Sequence, residues 1–152
     1  MSGYFTNSRE ADVSGFVQIL VQMLKMMSNN AEAEEVQDFL FEIGVNLAYS
    51  NRIEDVNTLA EMHLKLNDIF DRLGFGVCQI EDLKDHVTIR HHDLPQISEE
   101  EFKDRWLMYF SVILCGMYNC WFRQTGAPEE LSCRISEVNA PADAVFDFRH
   151  VK

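Results

Sequence analysis

The sequence predicts an α+β fold, in which a small antiparallel β-sheet packs on helices. Three segments with apolar residues at helical spacing come first, followed by a β-hairpin, a long apolar helix and a second β-hairpin. A chain of 152 residues is long enough to bury a hydrophobic core. We therefore expect a single α+β domain over residues 11–152, preceded by a flexible N-terminal arm over the mostly polar residues 1–10.

The first two helices are predicted from their apolar stripes. Apolar residues recur at helical spacing over Val13–Met27, and Ser28–Asn30 is expected to end this helix. Asn30 would then cap a second helix, whose stripe extends over Val36–Ala48. Gly44 lies on that stripe and predicts the close approach of another helix, because glycine otherwise costs a helix about 1 kcal/mol relative to alanine.

The third helix and the first hairpin are separated by a change of period. Apolar residues keep helical spacing over Val56–Leu73, and Gly74 is a natural C-terminal stop. Apolar and polar residues then alternate over Gly74–Leu83 and again over His86–Asp93. This pattern predicts two strands joined by a hairpin loop at Glu81–Asp85.

The stretch "HHDLPQIS" predicts a structural corner between that hairpin and the next helix. Pro95 keeps the residue before it extended, so the strand cannot continue directly into a helix. Ser98 is expected to be the N-cap, with Glu101 completing a capping box. Ile97 and Phe102 occupy the positions of a hydrophobic staple.

The helix that follows is apolar on nearly every face over Arg105–Phe122. Such a helix is expected to be surrounded by the rest of the fold or by another protomer. Thr125–Pro128 ends it, and two strand-like runs follow at Leu131–Val138 and Ala144–Val151. We expect these runs to form the second hairpin, connected through the segment "NAPAD".

Composition excludes several classes of partner. The chain has 13 basic and 25 acidic residues, a net charge of -12, which argues against binding nucleic acid or an anionic membrane surface. No segment has the roughly 18 consecutive apolar residues of a membrane span. The four cysteines lack the CxxC spacing of a zinc or redox site and are expected to be reduced core thiols, which fits the cytoplasm.

Catalytic and metal-binding motifs do not stand out. The strongest metal or haem candidates are His86, His91 and His92 with Asp93. Adjacent strand residues point to opposite faces, so His91 and His92 cannot easily chelate one ion. A site that uses His92 with Asp93, or His86 with a distant group, stays open. We favour hydrogen bonds from His92 and Asp93 to the turn before Leu94–Pro95. His63, on or beside an apolar helix face, is expected to be a hydrogen-bonded core or interface residue. We predict no enzyme activity, metal or cofactor.

A series of short motifs nevertheless resembles the D subunit of bacterial cellulose synthase, an accessory protein of cellulose-secreting bacteria. The resemblance extends over residues 34–149, and its most specific part is His92–Gln96 followed by a helix ending in Gly-x-Tyr-x-x-Trp. The motifs, in order, are "EIGVNLA" (Glu42–Ala48), "LKLNDIF" (Leu64–Phe70), "FGVCQIEDL" (Phe75–Leu83), "TIRHHDLPQI" (Thr88–Ile97) and "GMYNCWF" (Gly116–Phe122).

The resemblance implies a protein without catalytic activity of its own. Members of the family assemble as an octameric ring built from dimers, with internal passages that guide nascent β-1,4-glucan chains for export and crystallisation. The implied partners are further copies of the chain, other subunits of the inner-membrane cellulose synthase complex and the glucan, on the cytoplasmic side of the membrane. The N-terminal arms contribute to the passages, so the implied glucan-contacting residues are Tyr4, Phe5, Thr6, Asn7, Ser8 and Arg9.

From its residues alone, the corner has a second expected role, as an interface. Its residues are His92, Asp93, Leu94, Pro95 and Gln96. Two other functions stay open on the sequence alone. A small-molecule or haem sensor would use His63, His86 or His92 as an axial ligand, and a glucan hydrolase would need a pair of carboxylates in a cleft.

Overall fold

A computed structural model describes the backbone of residues 2–150 and the side chains of residues 15–149. Within these residues the α+β class and the predicted order of elements are confirmed. The elements are α1 (Ser2–Asn30), α2 (Ala33–Ser50), α3 (Leu59–Leu73), β1 (Val77–Asp82), β2 (Val87–His92), a 3-10 turn (Glu100–Phe102), α4 (Lys103–Gln124), β3 (Leu131–Asn139) and β4 (Asp143–His150). No helix in the described part of the chain is long and apolar enough to cross a membrane.

The chain divides into two compact units, Met1–Val36 and Gln37–Lys152. The first unit contains α1 and the start of α2, and the second contains the sheet and the remaining helices. The single domain predicted over residues 11–152 and the arm predicted over residues 1–10 both stay predictions.

Asn30 does not cap α2, so that prediction is wrong. It is the last residue of α1, and its side-chain Nδ2 donates a hydrogen bond to the Met26 carbonyl at 2.6 Å. The Asn30 side chain therefore bonds the C-terminal end of α1 and does not cap α2. The backbone N–H of Glu32, just before α2, donates instead to the Glu35 carboxylate at 3.2 Å.

The four strands form one antiparallel sheet in the order β1-β2-β4-β3. The β1–β2 loop is closed by a hydrogen bond from the Leu83 N–H to the His86 carbonyl at 2.9 Å. Ile89 in β2 pairs with Phe146 in β4, and both side chains are fully buried. The second hairpin thus joins the first through β4, which places β1 and β3 at the two edges.

Helix α4 lies at the centre of the second unit, and most of its side chains are buried. It crosses α2 at two glycines, one on each helix. A Cβ atom added to Gly44 would overlap the Ile113 carbonyl, and one added to Gly116 would overlap the Phe41 carbonyl. The close helix approach predicted from Gly44 is confirmed, and backbone-to-backbone contact between α2 and α4 is its reason.

Helix α3 begins later than predicted, because Thr58 caps it. The Thr58 hydroxyl accepts a hydrogen bond from the Glu61 N–H at 3.1 Å, so Val56 lies before the helix. Its C-terminal end is as predicted: Gly74 has φ 73° and is in the left-handed conformation.

The capping box predicted at Ser98 is wrong. The 3-10 turn begins at Glu100 after Glu99, and neither it nor α4 has a side-chain cap hydrogen bond. A tertiary contact fixes this end instead, because the Trp106 indole N–H donates to the Pro95 carbonyl at 2.6 Å. That bond holds the extended corner on the first turn of α4, so a local cap is not required.

Candidate functional site

His91 is fully buried at the centre of a polar network in the second unit. Its Nδ1 lies 2.6 Å from the Tyr118 hydroxyl, and its Nε2 lies 2.6 Å from the Phe75 carbonyl. Burial lowers the pKa of His91 to about 4, so the ring is neutral at pH 7. A neutral ring requires that Nε2–H donates to Phe75 and that Nδ1 accepts from Tyr118.

Cys78, which pairs with His91 across β1 and β2, extends the same network. Its thiol is hydrogen-bonded to Tyr118, and burial raises the thiol pKa to about 12. Burial also raises the Tyr118 pKa well above its ordinary value. All three side chains are therefore uncharged at pH 7, an arrangement that specifies packing and provides neither a thiolate nucleophile nor a cationic acid.

The backbone of Cys78 is bonded by two side chains of α3. The Asn67 amide donates to the Cys78 carbonyl at 3.0 Å and accepts from its N–H at 2.8 Å. His63 Nε2 lies 3.0 Å from the same carbonyl, which confirms the predicted hydrogen bond, and the side chain is half-buried. These contacts satisfy main-chain hydrogen-bonding groups on the outer side of the edge strand β1. The His63 ring is itself hydrogen-bonded through Nε2.

His92 points to the other face of the sheet from His91, as predicted, and its side chain is 41% exposed. Its Nδ1 lies 3.4 Å from Asp143, and the Asp93 N–H donates to the same carboxylate at 3.3 Å. The Leu94 N–H donates to the Ala142 carbonyl at 2.9 Å. The corner is thus tied to Ala142 and to the first residue of β4, whereas we expected hydrogen bonds within the turn before Leu94–Pro95.

The remaining histidine with a described side chain, His86, has acidic neighbours. Its Nδ1 lies 2.6 Å from Asp85, and its Nε2 lies 3.8 Å from Asp147. The hydrogen bond to His86 lowers the pKa of Asp85. Among residues with described side chains, no three His, Cys, Asp or Glu residues are grouped to hold a metal ion. These contacts do not favour a haem ligand at His63, His86 or His92.

A small cavity of about 140 Å³ opens where the corner meets α4 and the β3–β4 connection. Of the corner residues, Leu94 is buried, and Gln96 is exposed and lines the cavity. The volume of the cavity is below the roughly 300 Å³ of a typical ligand site. The interface role of His92, Asp93, Leu94, Pro95 and Gln96 stays a prediction.

The predicted glucan-contacting residues belong to α1, but their side chains lie outside the described residues. This applies to Tyr4, Phe5, Thr6, Asn7, Ser8 and Arg9. The described part of α1 carries an exposed stripe, which we call the α1 apolar face. Its spacing places all members on one side of the helix, and Phe16 is 73% exposed. The members are Phe16, Ile19, Leu20, Met23 and Met26.

Sequence reasoning did not assign a role to Asn67 or Tyr118. A tyrosine in an otherwise apolar helix signals a buried hydroxyl that needs a partner, so Tyr118 carries a signal that could have found it. Asn67 carries no comparable signal, because a polar residue on an amphipathic helix is ordinarily solvent-facing. Their partners lie 11 or more residues away along the chain.

Comparisons with known proteins point to one family. The model of the family described as the D subunit of cellulose synthase matches residues 1–148. Cellulose synthase operon protein D of Komagataeibacter xylinus is 29% identical over 126 residues, covering 80% of this chain and 77% of that protein. A solved structure of trafficking protein particle complex subunit 3 from Naegleria fowleri, covalently bound to palmitic acid, matches over 93% of each chain with TM-score 0.48 and 13% identity.

Proposed function

The chain belongs to the family of cellulose synthase D subunits, and on that premise we propose that it is a non-catalytic accessory subunit of a bacterial cellulose synthase complex. It forms a homo-oligomeric scaffold, an octamer built from dimers, on the cytoplasmic side of the inner membrane. Passages in this scaffold guide and align nascent β-1,4-glucan chains for export and crystallisation. The observation that carries the proposal is the family match over residues 1–148.

The α1 apolar face supports self-association. A contiguous exposed apolar stripe on a soluble surface marks an interaction site. Copies of a chain with net charge -12 repel each other wherever carboxylates meet. Residues 13–31 contain no Asp or Glu, and Lys25 is their single charged side chain. This part of α1 is therefore a surface on which two acidic copies can approach without like-charge repulsion.

The arm residues Tyr4–Arg9 remain the proposed lining of the passages. A passage for cellulose must contact an uncharged polymer that carries hydroxyl groups and apolar ring faces. Aromatic, hydroxyl and amide side chains match both features. A net negative scaffold has no electrostatic attraction for such a polymer, so the chain can slide through without being held.

A structural role also agrees with the chemistry of the buried groups. His91 is kept neutral, and the thiols of Cys78 and Cys133 have pKa values raised by burial. These groups serve packing and hydrogen bonding, so the proposal assigns no chemical step to them.

The proposal is tested by deleting the gene in the source bacterium. We expect the secreted cellulose to lose crystallinity, measured by X-ray diffraction, while isolated membranes polymerise glucan at an unchanged rate. Reintroducing the wild-type gene should restore crystallinity and serves as the control. Normal fibres after a clean deletion would contradict the proposal.

A further inference from the structure

A polar groove lies where the α2–α3 connection meets the end of α4, and we call it the α2–α3 groove. Its volume is about 490 Å³, within the range of ligand-sized clefts. Every lining residue belongs to the second unit. The lining consists of Arg52, Ile53, Glu54, Asp55, Val56, Asn57, Gln124 and Thr125.

The floor of the α2–α3 groove is held by side chains of α4. The Ile53 N–H donates to Gln124 Oε1 at 3.2 Å, and Gln124 Nε2 donates to the Ala48 carbonyl at 3.4 Å. The Trp121 indole N–H donates to the Asn51 carbonyl at 3.0 Å. Ile53 itself is buried. A connection fixed at these points is preformed, so a ligand need not order it on binding.

The rim of the groove presents polar side chains that are exposed to solvent. Among residues with described side chains, the Arg52 guanidinium, the Asp55 carboxylate and the Asn57 amide have no hydrogen-bond or ion-pair partner. Asp55 also has φ 55°, a left-handed conformation that is uncommon outside glycine. Lys65 donates to the neighbouring Glu54 carbonyl and holds this backbone in place.

An exposed aromatic ring stands beside the groove. Tyr49, in the last turn of α2, is 56% exposed. Its hydroxyl is hydrogen-bonded to the Cys120 thiol, and Gln124 Nε2 lies 3.5 Å from the same sulfur. Tyr49 does not itself line the groove, but these contacts connect it through Cys120 to Gln124, which does.

We propose that the α2–α3 groove binds a segment of β-1,4-glucan, an assignment that rests on the proposed function. One guanidinium and two carboxylates share the groove, so neither an anion nor a cation finds an environment of a single opposite charge. A neutral sugar can accept from Arg52 and donate to Asp55, and charge-assisted bonds of this kind are strong. The C–H face of a glucose ring packs on an aromatic ring such as Tyr49.

The test is isothermal titration calorimetry, in which cellohexaose is titrated into the purified full-length protein. We expect Tyr49→Ala to weaken binding about tenfold, and Tyr49→Phe, which keeps the ring, to retain most of the affinity. Asp55→Asn should also weaken binding, and its fold is preserved because asparagine tolerates the left-handed conformation. Phe39→Ala is the matched control, since Phe39 is 54% exposed on the same helix outside the groove.

The proposal that glucan binds in this groove would be overturned if Tyr49→Ala and Asp55→Asn both kept the wild-type affinity. It would also be overturned if the wild-type protein gave no heat of binding. Equal loss in Phe39→Ala would overturn it as well, because the effect would then not be local. Circular dichroism of each variant shows whether it is folded. The gene deletion is scored separately by cellulose crystallinity, so the groove can fail while the proposed function stands, and the reverse.

Discussion

His91 contributes to the pH dependence of the stability of the second unit. Its pKa is about 4 in the folded protein, against 6.5 for an ordinary histidine, because burial disfavours the charged ring. Between these values the unfolded chain binds a proton that the folded chain excludes. Stability contributed by the neutral ring is therefore complete above pH 6.5 and is lost as the pH falls toward 4.

We expect urea unfolding at pH 7, 5.5 and 4.5 to show a falling free energy of unfolding, with a His91 contribution on the order of 3 kcal/mol. His91→Gln should lower stability at pH 7 and remove most of this pH dependence. His92→Gln is the control, because His92 lies on the opposite, partly exposed face and should leave the slope unchanged. A slope that persists in His91→Gln would assign it to other groups.

The crossing of α2 and α4 depends on the absence of two side chains. A methyl group at Gly44 would enter the Ile113 carbonyl, and one at Gly116 would enter the Phe41 carbonyl. Because each obstacle is backbone, the helices must separate to relieve the overlap. That separation removes the backbone contact between α2 and α4 at the crossing.

We expect Gly44→Ala and Gly116→Ala each to destabilise the protein by at least about 1–3 kcal/mol, measured by thermal or urea unfolding. Gly15→Ala is the matched control, since nothing lies within 4 Å of the added Cβ. That change should be neutral or stabilise by up to about 1 kcal/mol through helix propensity. If Gly44→Ala has the melting temperature of the wild type, α2 and α4 do not make close backbone contact at Gly44.

Local sequence patterns located the elements but not all of their ends. Thr58-x-x-Glu61 and Ser98-x-x-Glu101 have the same capping pattern, and only the first acts as a cap. The difference is tertiary, because the Trp106–Pro95 bond holds the second segment in another conformation. Strand periodicity likewise predicted two hairpins and could not specify that β2 pairs with β4.

Local sequence patterns could not predict the polar network or the groove, for a related reason. His91 and Tyr118 are 27 residues apart, and Ile53 and Gln124 are 71 residues apart. No local period connects such pairs, since only the assembled fold brings them together. The resemblance to a family supplied a function that the individual residues do not state, and the comparisons confirmed that family.

At the scale of the whole molecule, assembly is proposed to depend on self-association through the α1 apolar face. Isolated exposed apolar residues are ordinary on protein surfaces, whereas a stripe along one helix face is a binding surface. A charge placed in the stripe should therefore prevent assembly. The same charge on Leu64 of α3, which is 71% exposed and lies outside the stripe, should leave assembly intact.

Native mass spectrometry of the purified full-length protein tests this claim most directly. We predict one dominant species near eight subunits, which Met23→Glu converts to smaller species and Leu64→Glu leaves unchanged. Circular dichroism of both variants controls for folding. A wild-type protein that is monomeric at micromolar concentration would contradict the scaffold, and an octamer that survives Met23→Glu would contradict the role of the α1 apolar face.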